Sequence, residues 1–458
     1  MGSVIPIVKA GTAAAERQLA KLSGRLNAME RLDTADYRRR VKQVFGKVLT
    51  PEQVVARILD DVQTSGDAAL IAYSHKFDRV RLTPKTLRIS DAERRAAFRR
   101  TAPAVRAALE LAAQRIADYQ QRLMPRDIPA AAARGGPPGV RSGLKWTPLH
   151  RIGAYIPGGT AAYPSSVLMN IIPAQVAGVR EVAVMTPCGA DGAVSDGVLC
   201  ACEILKVSEI YRVGGAQAIG ALAYGTKTIP PVDKIVGPGN LFVMLAKRAA
   251  FGRVDIDMLA GPSEVLVIAD ANAKAEYIAA DLLAQAEHDG LASCVLLTDS
   301  QKIVQAVEVE LKKQLADLPR QAIASAALKN WGLAVVTKNL DEAVALANRL
   351  APEHLEIMTR SPRALAAKIT SAGAIFLGEH ATEPLGDYIA GPSHTLPTGA
   401  TARAFSGLSV YTFLRRTSII EANAAGLAEL AEPIAVLAAA EGLEAHRRAV
   451  IRRLSNFE

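Results

Sequence analysis

Four stretches of the chain hold side chains whose types and spacing could do chemistry. In the first, 281–290, Gln285 and His288 lie three residues apart, which places them on one face of a helix. Gly290 is a natural helix stop, so His288 falls in the last turn, where the helix dipole favours a cation. An amide oxygen plus an imidazole is half of a metal site suited to Zn²⁺ or Mn²⁺; a histidine that only caps the helix end would look the same. The second stretch sets Glu353 beside His354 in a segment opened by Pro352. Such a pair can do acid–base work if both groups reach one cavity, although Glu-His dipeptides are also common on surfaces. The third, 377–399, gathers Glu379, His380, Glu383, Asp387 and His394 among glycines and prolines after a strand. Titratable residues on a rigidly punctuated loop suit a site better than a core. In the fourth, the tail, Glu441 and His446 are five apart and by themselves read as surface. His75 and His150 read as structural.

Three glycine-rich turns follow apolar runs and lead into helices, around Gly158-Gly159-Thr160, Gly214-Gly215 and Gly237-Pro238-Gly239. Backbone N–H groups at such turns can cradle phosphate oxygens, helped by the positive end of the helix. None is GxGxxG or GxxxxGK[ST], so tight-turn glycines and a dinucleotide or other phosphate ligand both remain open. The four cysteines, Cys188, Cys200, Cys202 and Cys294, form no CxxC pair. They read as reduced thiols of a cytoplasmic protein, Cys294 as a buried one, and none has a basic neighbour that would make it a nucleophile.

The elements that must position these groups change character along the chain. Helical patterns cover Ala13–Leu22, Asp36–Phe45, a start at Thr50-Pro51-Glu52, and Ala92–Gln121; the basic run Arg38-Arg39-Arg40 reads as a solvated face. Pro- and Gly-rich residues 125–143 mark a boundary. Beyond it, short apolar runs alternate with helices: Gly153–Ile156, Glu181–Thr186, Glu209–Val213, Asp233–Val236, Glu264–Ala269, Cys294–Thr298, Gly332–Thr337 and Ala374–Leu377. That alternation predicts βαβ units and one large or two smaller parallel sheets, with an Ala/Leu-rich helical tail from Gly426. With 458 residues the chain needs two or three cores. Its 50% hydrophobic and 22% charged content excludes wholesale disorder. No run approaches the ~20 apolar residues of a membrane span, and the first residues lack the pattern of a secretory signal. The formal net charge of +9 alone does not choose between nucleic acid, a membrane surface and an anionic cofactor.

Taken together, the segments at 155–159 (YIPGG), 165–170 (SSVLMN), 214–219 (GGAQAI), 236–240 (VGPGN), 260–264 (AGPSE), 286–289 (AEHD), 351–356 (APEHLE) and 391–398 (GPSHTLPT) resemble the histidinol dehydrogenase family, over about 50–458 and in the same order. The resemblance implies an α/β fold of two incomplete Rossmann-like parallel-sheet domains with helical ends, in a homodimer whose tails cross over. It divides the chain into an N-terminal helical segment (1–51), a discontinuous large domain (52–154 and 264–408), an NAD-binding domain (155–263) and a dimerisation tail (409–458). It implies zinc held by Gln285, His288, Asp387 and His446, and catalysis by Glu353 and His354. Those ligands with His354, Ser263, His394 and Glu441 would contact L-histidinol, and Tyr155, Gln217 and Asn240 would contact NAD. His446 and Glu441 would serve the partner's site. One departure is Ala404 before Phe405, where the family places an aromatic directly after Arg403.

The implied reaction oxidises L-histidinol through L-histidinaldehyde to L-histidine, the end of histidine biosynthesis. His354 would take the alcohol proton, and Glu353 would activate the water that hydrates the aldehyde. A sulfonated diol as substrate remains an alternative on the same fold, disfavoured by Glu441, His394 and His354 together. A nucleic-acid-binding protein would need basic clusters interleaved with aromatics, which are absent. A zinc hydrolase would leave the glycine turns without a purpose. The expected partners are the small-molecule substrate and a second copy of the chain, with neither nucleic acid nor membrane.

Overall fold

The computed structural model describes residues 3–25, 34–158 and 163–454. Along them run strands β1 (Ile7–Lys9), β2 (Ile128–Ala132), β3 (Val140–Pro148), β4 (Arg151–Tyr155), β5 (Glu181–Met185), β6 (Glu209–Tyr211), β7 (Lys234–Val236), β8 (Asp255–Ile256), β9 (Glu264–Ala269), β10 (Ser293–Thr298), β11 (Gly332–Val336), β12 (His354–Met358), β13 (Ala374–Leu377) and β14 (Leu414–Ala422). β5, β9, β10 and β11 are near-continuous runs of Val, Ile, Leu and Ala, as strands buried on both faces of a parallel sheet require, and β4 (Arg-Ile-Gly-Ala-Tyr) is buried along its whole length. They build two parallel sheets. One has five strands in the order β6-β5-β4-β7-β8, the other six in the order β1-β11-β10-β9-β12-β13. The eight expected runs divide evenly between them.

Sequence patterning missed β12, because His354 and Glu356 interrupt its apolar run, and it missed the short β1 and β8. It also missed a third, antiparallel sheet in the order β14-β3-β2. Residues 125–143, expected only as a boundary, carry β2 and the start of β3. These strands are largely exposed and Ala- or Arg-rich, so no apolar alternation marks them.

Apolar faces decide which elements share a core. The helix expected from Thr50 runs Pro51–Ser65: the Thr50 side chain accepts the Gln53 N–H, and Gln53 Oε1 accepts the Thr50 N–H. Its Val54, Val55, Ile58 and Val62 pack with Ile219 and Leu222 of the five-stranded sheet's helical layer. Helix Pro103–Arg122 joins the other core of that sheet through Leu109 and Ile116. Residues 51–122 therefore lie against the five-stranded sheet, whereas the expected division grouped 52–154 with 264–408. Ile5 and Leu19 enter the cores of the six-stranded sheet, so β1 and helix Ala13–Ser23 belong to it rather than to a separate segment.

The tail ends in helices Ala424–Ala440 and Glu444–Leu454, which pack on each other. The first is apolar nearly all round, yet only its Gly426 and Ala438 are buried. Ile420 of β14 is 78% exposed and Leu437 64%.

Candidate active site

β9 and β12 are neighbours, and both begin at the same sheet edge, with Glu264 the first residue of one and His354 of the other. Alternation along β12 sends Leu355 and Ile357 into the core of one face and Met358 into the other, so His354 and Glu356 share the Met358 face. Helix Ala275–Ala286 packs on that face, and its C-terminal end brings Gln285 and then His288 to the same edge. Asp281 Oδ1 accepts a hydrogen bond from the Thr382 hydroxyl at 2.6 Å, which ties this helix to the short helix Glu383–Tyr388. The result gathers His288, Asp387 and Glu383, with one ligand atom from each within 4.8 Å of the others. Gln285 is fully buried, and neither its amide oxygen nor its nitrogen has a hydrogen-bond partner. Buried polar atoms are nearly always paired, so this orphaned amide beside an imidazole and a carboxylate fits a bound cation.

Glu353 and His354 are 5% and 3% exposed. Glu353 Oε2 accepts the Glu264 N–H at 2.9 Å, and Glu264 Oε2 accepts the Glu353 N–H at 3.3 Å. His354 Nδ1 lies 3.0 Å from the Glu264 carbonyl, which can only accept, so the proton sits on Nδ1. Nε2 has no hydrogen-bond partner and faces Asp387 Oδ1 at 3.5 Å. His394 is set the same way, with Nδ1 donating to the Asp387 carbonyl at 3.0 Å and Nε2 3.1 Å from the Ser166 hydroxyl. Ser166 opens helix Pro164–Ala177 behind β4, so the 378–413 connection spans the gap between the two parallel sheets. Ser263 directly precedes Glu264 at the same edge.

Charge in this space is strongly perturbed. Burial pushes the Glu353 carboxyl up to about 7, with Glu264 and Asp387 adding to the effect. It also lifts Glu383 to about 8. Burial raises Asp281 against the lowering effect of its bonds to Thr382 and Glu356, and burial together with the Asp281 charge raises Glu356 well above the usual carboxylate range. Burial lowers His288 and His394, keeping both rings neutral. It works against the charged forms of Asp387 and His354, but their mutual attraction wins: Asp387 is lowered and His354, also facing Glu383 and Glu353, is raised.

At the C-terminal ends of β4 and β7 and beyond β6 opens a cleft of about 1390 Å³, lined by Tyr155, Gly158, Gly214, Gly215, Gln217 and Asn240. Its size exceeds the ~300–1,000 Å³ of an ordinary small-molecule pocket. The buried Gln217 Oε1 has no partner there. Arg39, Arg40, Lys76 and Arg79 line the same cleft; Arg39 and Arg40 pair with Asp36. The expected free amides are already engaged at two of the three turns. Gly215 N–H donates to the Tyr155 hydroxyl, and Gly237 N–H to Asp257 Oδ2 at 2.7 Å. Lys247 donates to the Gly237 carbonyl and pairs with Asp257, a fully buried clamp whose breaking costs ~3–5 kcal/mol. Gly237 has φ +107°, and a Cβ there would strike the Tyr155 carbonyl, so the turn requires glycine. Asn240 caps helix Leu241–Ala250 by accepting the Phe242 and Val243 N–H groups. Gly159 and Thr160 of the first turn lie outside the described residues.

Other expected residues are not brought here. Glu441 and His446 are exposed on the tail, and no hydrogen bond or ion pair joins them to the cluster. His380 is 83% exposed beside Glu379, and His75 and His150 are surface residues rather than structural ones. All four thiols are raised by burial; Cys188, beside the cleft, stands at about 11. Sequence reading missed Glu264 and Glu356 as partners of the dyad and cluster. A carboxylate inside or opening an apolar parallel strand was the available signal.

A family model described as Histidinol dehydrogenase matches residues 43–454. The chain is 51% identical over 404 residues to the histidinol dehydrogenase of Bradyrhizobium diazoefficiens, covering 88% of this chain and 93% of that protein. It is 50% identical over 408 residues to that of Moorella thermoacetica, covering 88% and 95%. The crystal structure of histidinol dehydrogenase from Elizabethkingia anophelis superimposes with a TM-score of 0.88 at 35% identity, covering 100% of this chain and 99% of that one.

Proposed function

Because the chain belongs to the histidinol dehydrogenase family of oxidoreductases, we propose that this site oxidises L-histidinol through L-histidinaldehyde to L-histidine with zinc and NAD⁺, as the last steps of histidine biosynthesis in the cytoplasm. The observation that carries the reading is the buried Glu353–His354 pair, whose unpartnered Nε2 opens toward Asp387 beside the unpartnered Gln285 amide. Gln285, His288, Asp387 and, from a second copy of the chain, His446 would hold the metal. Glu383, lifted to about 8, is mostly neutral at pH 7 and leaves Asp387 as the anionic ligand. When bound, the zinc would anchor the substrate's imidazole and amine, and two NAD⁺ in succession would each take up one hydride.

The residues divide the proton work. With Nδ1–H committed to the Glu264 carbonyl, His354 offers Nε2 to the alcohol proton. Glu383, Glu353 and Asp387 all favour the imidazolium; with Glu383 and Glu353 protonated and Asp387 held as a ligand, that pull would fall away and Nε2 would be free to act as a base. Glu353, poised near 7, activates the water that hydrates the aldehyde. A thiolate route has no support, since burial holds every thiol well above neutrality. Tyr155, Gln217 and Asn240 would line the bound NAD in the five-stranded sheet's cleft. The carrying test is stoichiometry: two NADH should form per L-histidinol consumed, and a chelator should stop the reaction. A yield of one with aldehyde released would overturn the two-step scheme.

The exposed apolar tail supports a homodimer in which β14 and the last two helices lie on a second copy. His446 and Glu441 would then reach the partner's site. Two inactive variants, His288→Ala and His446→Ala, should restore about a quarter of parental activity when reassorted together: about half the dimers are mixed, and each carries one intact site. Recovery at background level would place both ligands on one chain.

A further inference from the structure

We infer that Arg25, which lies outside the residues the family model matches, is a positioning residue for Glu353. Its side chain is 2% exposed, an unusual fate for an arginine unless its charge is paired; Nε has no partner, and both Nη atoms are bonded. Nη1 donates to the carbonyls of Leu291 at 3.1 Å and Ser263 at 3.4 Å, and Nη2 to that of Pro262 at 2.8 Å. Nη2 also pairs with Glu264 Oε1 at 2.5 Å.

Glu264 in turn holds both halves of the dyad. Its carboxylate accepts the Glu353 N–H through Oε2 and the Gly399 N–H through Oε1. Its own N–H orients the Glu353 carboxylate, and its carbonyl fixes the His354 tautomer. The guanidinium is the cation bonded to this buried carboxylate among the described residues. Without it Glu264 would be a buried, uncompensated anion, which must take up a proton or turn away. Either change releases the Glu353 N–H and the Gly399 loop, and a displacement of ~1 Å at a reacting group costs on the order of 10²-fold in rate. Arg25 bonds neither the metal cluster nor the cofactor cleft, and its one contact on the substrate side, to the Ser263 carbonyl at 3.4 Å, is the longest of its bonds, so its effect should fall mainly on turnover.

The inference rests on Glu353 being the general base, and the test separates the two. Steady-state constants for L-histidinol and zinc content are measured for the parent, Arg25→Gln, Arg25→Lys, Glu264→Gln, the Arg25→Gln/Glu264→Gln double variant and Glu353→Gln. Arg25→Gln should lower kcat by roughly 10- to 100-fold with KM within about twofold and zinc retained, and Arg25→Lys should recover part of the loss. The double variant should be no slower than Arg25→Gln, because both changes act through one contact. A parental kcat in Arg25→Gln, a loss carried by KM, or losses that multiply in the double variant would overturn the role. If Arg25→Gln does not accumulate folded, Arg25→Lys decides: a lowered kcat with KM kept supports the role, and a parental kcat overturns it. A Glu353→Gln enzyme with parental turnover would instead fault the base assignment.

Discussion

Replacing His288 by Ala should strip the metal and reduce turnover on the order of 10³-fold while leaving the fold intact. The reasoning starts from position. His288 follows the last turn of helix Ala275–Ala286, the residue is exposed, its side chain makes no hydrogen bond, and desolvation at the cluster lowers its pKa below the usual imidazole value. Truncation therefore opens no core cavity, and the unfolding midpoint should correspond to a change within ~0.5 kcal/mol. What is lost is one of the groups that converge with Asp387 and would hold the proposed cation, and with it several kcal/mol of the substrate anchoring that the cation would supply. Metal analysis, turnover and a urea melt on one preparation check all three statements. Retained zinc with retained turnover would show the ligand set to be wrong.

Changing Glu353 to Gln should slow the second oxidation by roughly 10²- to 10⁴-fold and the first much less. The amide is nearly isosteric and can still accept the Glu264 N–H, so the dyad keeps its shape while losing its base. Single-turnover NADH release should then split into a near-normal first phase and a slow second one, and L-histidinaldehyde supplied directly should show the same deficit. In the parent the second phase should rise as pH climbs through about 7, because Glu353 works only when ionised and its pKa lies there. The variant should lose that dependence. Equal slowing of both phases would assign the base elsewhere.

The two predictions differ in how well the sequence alone foresaw them. Gln285 and His288 are local: three residues apart on a helix ended by glycine, they had to share a face. Glu353 and His354 are adjacent, so their pairing was legible too. Their partners were not. Glu264 lies 89 residues from Glu353, and only the parallel pairing of β9 with β12 brings it there. Glu383 joins the cluster because its helix folds back over β12, where its N–H donates to Glu356 Oε1. The glycine turns show the opposite error. Composition correctly set them after β4, β6 and β7 in a βαβ region, yet Tyr155 and Asp257 had already claimed two of the amides expected to be free.

By itself the sequence determined the class of chemistry and the local geometry: an α/β chain without a usable thiol, a helix-end imidazole with its amide, and an adjacent acid–base pair. These depend on spacing within a turn or a strand, which local backbone rules set. Tertiary structure decided what surrounds them. It packed 51–122 on the five-stranded sheet, buried Arg25 against Glu264, and left Glu441 and His446 exposed on a largely apolar tail. Burial and long-range strand pairing govern those outcomes, because the free energy of removing a charge or an apolar face from water depends on what the rest of the chain brings to meet it.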